Sequence, residues 1–199
     1  MVERRTLPLF ATPAHGFEMR RPRTLGNPGL MHIGCDVKLG PNCELKCQTN
    51  FPGGWMRHPE GEHVQQSFTP TLTIGDRVTA SGGLQVLAFA SVVIEDDVMF
   101  ARNVFIADGT HAFSHTDVPY KFQGVGEPRP IRIGHGSWIG QNVVILPGVQ
   151  IGPMAIVGSN SVVTRDVAER TIVVGSPARV LRRWDAAQRI WGAVGEKQT

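Results

Sequence analysis

Two histidines four residues apart, His111 and His115, lie in the segment Gly109-Thr-His-Ala-Phe-Ser-His, with Asp108 directly before it. An imidazole has a pKa of about 6.5, so near neutral pH it can take or return a proton, or ligate a metal through a ring nitrogen. A loop histidine alone implies neither role. Asp108 is placed either to orient His111 or to serve only as a turn acid, and its residue type fits both. Basic residues gather at the two ends: Arg4, Arg5, Arg20, Arg21 and Arg23, then Arg179, Arg182, Arg183 and Arg189. Solvated termini explain both groups; the second also suits a phosphorylated ligand, because guanidinium forks match phosphate oxygens.

Composition excludes several classes. The 199 residues are enough for one domain with a core, and 41% hydrophobic with 19% charged is neither membrane-like nor disordered. A net charge of +3 and few aromatics argue against a nucleic-acid platform. No run is long enough to cross a bilayer, and Pro8 and Pro13 interrupt the early apolar stretch, against a signal peptide. Cys35, Cys43 and Cys47 lack metal-ligand spacing and read as reduced core thiols of a cytoplasmic protein.

What must position the histidines is a repeat of six. Ile133, Ile139, Ile145, Ile151, Val157 and Val163 follow one another at that step, with Gly134, Gly140, Gly152 and Gly158 next in line. Four residues after each stop stand Ser137, Val143, Val149, Ala155, Ser161 and Val167, all small or β-branched. The ladder recurs at Ile94, Phe100 and Ile106, at Ile74, Ala80 and Val86, and at Ile33, Leu39 and Leu45, with a step of eight between Val86 and Ile94. Such a period fits a short strand and a turn, repeated, and no α-helix. Three hexads make a triangular rung; stacked rungs bury one aliphatic column per face, and Gly or Asp eases the turns.

The reading is an all-β solenoid over 30–175, after an N-terminal segment 1–29, with excursions at about 51–70 and 112–132. Loops of that length in a compact domain are usually functional or disordered. Val180, Trp184, Ala187 and Trp191 recur at helical spacing, so 176–199 is expected to be a helical cap over the open end.

The pattern resembles the hexapeptide-repeat acyltransferases, whose fold is a left-handed parallel β-helix. The segments that carry the resemblance are Asn103-Val-Phe-Ile-Ala-Asp-Gly-Thr-His111, Ser137-Trp-Ile-Gly-Gln-Asn-Val-Val-Ile-Leu-Pro-Gly-Val, Ile156-Val-Gly-Ser-Asn-Ser-Val-Val-Thr-Arg-Asp and Val174-Gly-Ser-Pro-Ala-Arg-Val180. Arg183-Trp-Asp with Trp191 resembles the branch that works on lipopolysaccharide and other polysaccharide sugars. The resemblance implies an acetyl-CoA-dependent O-acetyltransferase acting on a sugar hydroxyl, without a metal. His111 is the implied general base and His115 the reserve. For the cofactor it implies Trp138, Gly140, Gln141, Gly158, Ser159, Thr164, Arg165, Arg179 and Arg182, with an oxyanion donor at the backbone of Gly140 or Gln141. Gly158, Ser159 and Thr164 also fit ordinary turn roles, and Trp138 ordinary corner packing. The weak acceptor positions map to Ser81 and Phe89, where an aromatic replaces an acidic contact of the galactoside and maltose acetyltransferases.

The family implies a homotrimer with sites between subunits, and neither nucleic acid nor membrane span. Two rivals use the same scaffold: an N-acetyltransferase on an amino sugar, and a zinc lyase of the gamma-carbonic-anhydrase kind, whose close histidine pair is five apart rather than four. A catalytically silent scaffold is the third. The insertion with Trp55, His58 and His63 either shapes an acceptor site or is a surface flap.

Overall fold

The computed structural model describes residues 10–12, 14–52 and 64–193. They wind as a left-handed parallel β-helix, all-β except for two single 3-10 turns, Pro28–Leu30 and Tyr120–Phe122. The first face stacks Glu18–Met19, Lys38–Leu39, Thr79–Ala80, Met99–Phe100, Trp138–Ile139, Ile156–Val157 and Thr171–Val174. The second stacks Arg23–Gly26, Cys43–Cys47, Gln85–Ala88, Phe105–Ala107, Val144–Ile145 and Val162–Val163. The third stacks Met31–Ile33, Thr71–Ile74, Ser91–Ile94, Ile131–Ile133 and Gln150–Ile151.

The six-residue stops become columns. On the third face Ile33, Ile74, Ile94, Ile133 and Ile151 lie directly over one another, and Val167 extends the line by a bridge to Ile151. On the first, Leu39, Ala80 and Phe100 are successive partners, so the smallest residue of the column sits under the largest. All are buried, and each removes apolar surface from water against the next rung. The small corner residues are buried as expected. Two are hydroxylic and satisfied: Ser137 Oγ donates to Gly152 O, and Ser161 Oγ accepts from Gly175 N.

The hexad glycines have a different reason from the one expected. Gly140 does not take the left-handed backbone; a Cβ on it would stand 2.6 Å from Ser159 N, in the next rung. The glycine allows close approach between rungs. The left-handed turn positions fall instead to Asn42, Asn103, Asn142 and Asn160 at one corner, and to Asp36, Arg77 and Asp97 at another. Asn142 Nδ2 donates to Asn160 Oδ1 at 2.9 Å, tying successive turns together.

Both ends correct the sequence reading. The β-helix starts before residue 30: Glu18–Met19 and Arg23–Gly26 already pair with the rung above. Methionines at 19 and 31, and the Pro28–Leu30 turn, hide that coil from an aliphatic six-residue pattern. Among the described residues, which end at 193, the expected C-terminal helix is absent. Arg179–Asp185 pairs antiparallel with Thr171–Val174, and Ile190–Ala193 pairs antiparallel with Arg179–Asp185. Asp185 Oδ1 accepts from Ala187 N and Gln188 N, making a turn, and Trp184 and Trp191 meet edge-to-face across the strands at 5.4 Å. The same tryptophan spacing that suits a helix also suits this cross-strand pair. Cys35 is exposed, so only Cys43 and Cys47 are core thiols. Arg4, Arg5, Trp55, His58 and His63 lie outside the described residues. No helix among the described residues is long and apolar enough to cross a membrane.

Candidate functional site

The departures from six concentrate at one corner, between the second and third faces. Ile33 follows Leu25 by eight residues, Ile94 follows Val86 by eight, and the two long excursions leave after Cys43–Cys47 and after Phe105–Ala107. In register, Cys47 lies beside Ala88, and Leu87 beside Ala107. Four consecutive coils therefore thicken the same edge.

Asp108 roots the second excursion there. It is fully buried, and its carboxylate accepts from the backbone N–H groups of Phe89 at 2.6 Å, Ala90 at 2.8 Å and Ser91 at 2.7 Å. A carboxylate with three N–H donors is well compensated. Asp108 is thus the turn acid: its carboxylate bonds to the turn below and not to His111. Burial, and after it the negative charge of Asp108, push the Cys47 thiol up to about 11, so it stays neutral. Burial likewise raises Cys43.

Gly109 follows, with an added Cβ only 2.7 Å from the Phe89 ring. The chain then forms a narrow ladder: Gly126 N donates to Thr110 O at 2.9 Å, Ala112 N donates to Gly124 O at 3.0 Å, and His111 faces Val125. The first excursion reaches in from the other side. Its stem pairs Asn50 with Ser67 and Phe51 with Gln66. The Phe51 ring meets the His111 ring edge-to-face at 5.5 Å. Gln66 Oε1 accepts from Val125 N at 2.7 Å while its Nε2 donates to Val125 O at 2.8 Å. Both excursions thereby hold His111, exposed, at a pocket of about 270 Å³ whose walls include Phe51, Phe89, Phe105 and Leu146. An accessible imidazole beside an apolar wall can serve as a general base.

His115 is held differently. Gln123 clamps its backbone, accepting from His115 N and donating to His115 O, and its side chain does not line the pocket. Gly140, Gln141, Gly158 and Ser159 occupy successive rungs of the corner between the first and second faces, as does Ser81 lower down. Gly140 N already donates to Val157 O at 2.8 Å, and Gln141 N to Ser159 Oγ at 3.2 Å. The ladder consumes the first of these proposed oxyanion donors. Thr164 and Arg165 lie at the His111 corner, after Val162–Val163; Arg179 and Arg182 project exposed from the hairpin. Trp138 is half-exposed on the first face, beside the half-exposed Met99. Within one chain the structure joins Phe89 to His111, and leaves Ser81 and the cofactor candidates in separate groups. Gln66, Phe51 and Val125 were not foreseen; they fall in the excursions, where no period marks them. Among the described residues no three His, Cys, Asp or Glu side chains gather as a metal site.

The family model described as bacterial transferase hexapeptide, six repeats, matches residues 130–165. Over 116 residues the chain is 40% identical to a Saccharomyces cerevisiae protein named "Putative acetyltransferase YJL218W", covering 58% of each. Over 123 residues it is 32% identical to the Escherichia coli "Putative lipopolysaccharide biosynthesis O-acetyl transferase WbbJ", covering 58% of this chain and 62% of the relative. The chain thus spans about three fifths of the length of these curated relatives. A solved structure of galactoside acetyltransferase in complex with coenzyme A superposes with a TM-score of 0.55 at 25% identity, covering 88% of this chain and 72% of the other.

Proposed function

We propose that this hexapeptide-repeat chain is an acetyl-CoA-dependent O-acetyltransferase, acting on a sugar hydroxyl of a cell-surface polysaccharide component or precursor, with His111 as general base. The observation that carries the reading is His111 held at a walled pocket by both excursions at once. The names of the relatives support the acyl chemistry, and one of them the polysaccharide setting.

The acceptor hydroxyl gives its proton to the His111 imidazole as its oxygen attacks the thioester carbonyl. The new C–O bond forms, the C–S bond breaks, and the imidazolium returns the proton to the departing thiolate. General-base assistance contributes about 10²–10⁴-fold. Gln141, Ser159, Thr164, Arg165, Arg179 and Arg182 are the proposed cofactor contacts, the arginines through phosphate. Their separation within one chain, and the adjacent exposed Met99 and Trp138, support a homotrimer in which His111 of one subunit meets a cofactor held partly by the next. The free cysteines support a reducing, cytoplasmic setting.

A free-thiol assay with acetyl-CoA across sugar glycosides, nucleotide sugars and amino sugars tests the reading. His111→Ala is expected to lose about 10²-fold or more in turnover while binding acetyl-CoA normally. Turnover unchanged in that variant sinks His111 as the base; acylation confined to amines sinks the O-acyl assignment. Isolated monomers with full activity sink the shared site.

A further inference from the structure

We infer that the pocket beside His111 selects a ring poor in hydroxyls, a deoxy sugar, over the fully hydroxylated hexose. This rests on the acyl-transfer reading only in taking the pocket as the acceptor site.

Each sugar hydroxyl is both donor and acceptor, and burying one without a partner is costly. A site for a hexose therefore supplies several polar groups. This one is walled largely by Phe51, Leu87, Phe89, Phe105, Val125 and Leu146. Among the described residues its polar side chains are Gln48, Thr110 and His111, and the last is committed to the reacting hydroxyl. Part of the nearby main chain is already engaged. Gln66 takes both polar groups of Val125, Asp108 takes the N–H of Phe89, and Thr110 O accepts from Gly126.

The apolar wall is also fixed. The Phe89 ring is packed edge-to-face on Phe68 at 5.3 Å and lies under Gly109, and its turn is anchored by Asp108. It cannot swing aside to admit a polar group without loosening that corner. The pocket of about 270 Å³ has room for a six-membered ring. A methyl where a hexose carries a hydroxymethyl would rest on this wall; the extra hydroxyl would face apolar side chains there.

The probes are p-nitrophenyl β-D-fucoside and p-nitrophenyl β-D-galactoside, which differ only in the 6-hydroxyl. Their dissociation constants are measured by ligand-observed NMR on the full chain, and their kcat/KM by thiol release with acetyl-CoA. The fucoside is expected to be favoured about tenfold to a hundredfold in both. Parity, preference for the galactoside, or no binding of either overturns the inference. Selective binding without thiol release keeps it and sinks the acyl-transfer reading; thiol release without selectivity does the reverse. Cyclohexanol competing as strongly as the fucoside would remove the sugar from the assignment. Phe89→Asn should bring the two glycosides near parity, while Phe89→Leu should keep the preference; equal selectivity in both variants would also count against it.

Discussion

Gln66 acts on Val125 as a neighbouring strand would: one side-chain amide accepts from the Val125 N–H and donates to the Val125 carbonyl, at 2.7 and 2.8 Å. Val125 in turn faces His111 across the narrow ladder of the second excursion. A residue of the first excursion therefore sets the position of the histidine carried by the second.

Gln66→Ala removes both bonds. Each is worth about 1 kcal/mol net, so the loop loses on the order of 2 kcal/mol of its preference for the closed ladder. The expected outcome is a fall in kcat of about tenfold, an unchanged KM for acetyl-CoA, and faster hydrogen exchange at Ala112 and Gly126. Gln66→Glu retains the acceptor and loses the donor, so it should fall between. Exchange rates equal to those of the parent would show that the ladder holds without Gln66.

The repeated part of the fold was legible because its physics is one-dimensional: an aliphatic at each sixth position has one place to go, onto its copy in the next rung. Ile133, Ile139 and Ile145 announce it, and His111 was singled out through the resemblance carried by the segment from Asn103 to His111. The first coil was hidden because Met19 and Met31 fill column positions with unbranched side chains. The hairpin was misread because Trp184 and Trp191 satisfy two periods, and the Asp185 turn that decides between them depends on tertiary pairing. Gln66 left no signal, since a polar residue in an aperiodic insertion shows its partner only once the chain is folded. Asp108 was seen as a turn acid or a histidine partner, and only the geometry of its three N–H donors separates the two.

Cys47 gives the stability an alkaline limit. Its thiol, ordinarily near 9.0, is held up to about 11 by burial and by Asp108. Between those values the unfolded chain releases the proton and the folded chain keeps it. Stability is therefore complete below about pH 9 and falls as pH rises toward 11, by roughly 2–3 kcal/mol in full. Urea titrations of the parent and of Cys47→Ala from pH 7.5 to 10.5 check this. The variant begins less stable and should show a flatter decline; parallel curves would reject the assignment. The exposed Cys35 should meanwhile react with a thiol reagent long before Cys47 does.

Gly140→Ala tests the close approach of rungs. Its Cβ would meet Ser159 N at 2.6 Å and Val157 O at 2.7 Å, backbone atoms that cannot rotate away. A loss of about 2–3 kcal/mol is expected, on the order of 5–10 °C in Tm for a chain of this size. Gly192→Ala is the control: the nearest atom to its Cβ is Arg183 O at 3.8 Å, and its Tm should stay within about 2 °C. Equal shifts in both variants would mean that loss of glycine, and not the approach of the rungs, is being measured.

Asp108→Ala leaves the N–H groups of Phe89, Ala90 and Ser91 without their acceptor at a buried corner. An unsatisfied buried donor costs about 1–3 kcal/mol, so the loss should reach about 3 kcal/mol or more unless water enters. Asp108→Asn keeps one acceptor oxygen and should recover part of it. Because Asp108 holds the turn rather than the imidazole, the pH dependence of turnover in Asp108→Asn should keep the apparent pKa of the parent even as kcat falls. A shifted profile with unaltered stability would return Asp108 to the role of orienting His111. The two measurements separate a corner anchor from a histidine partner, since the anchor moves the stability and the partner moves the proton.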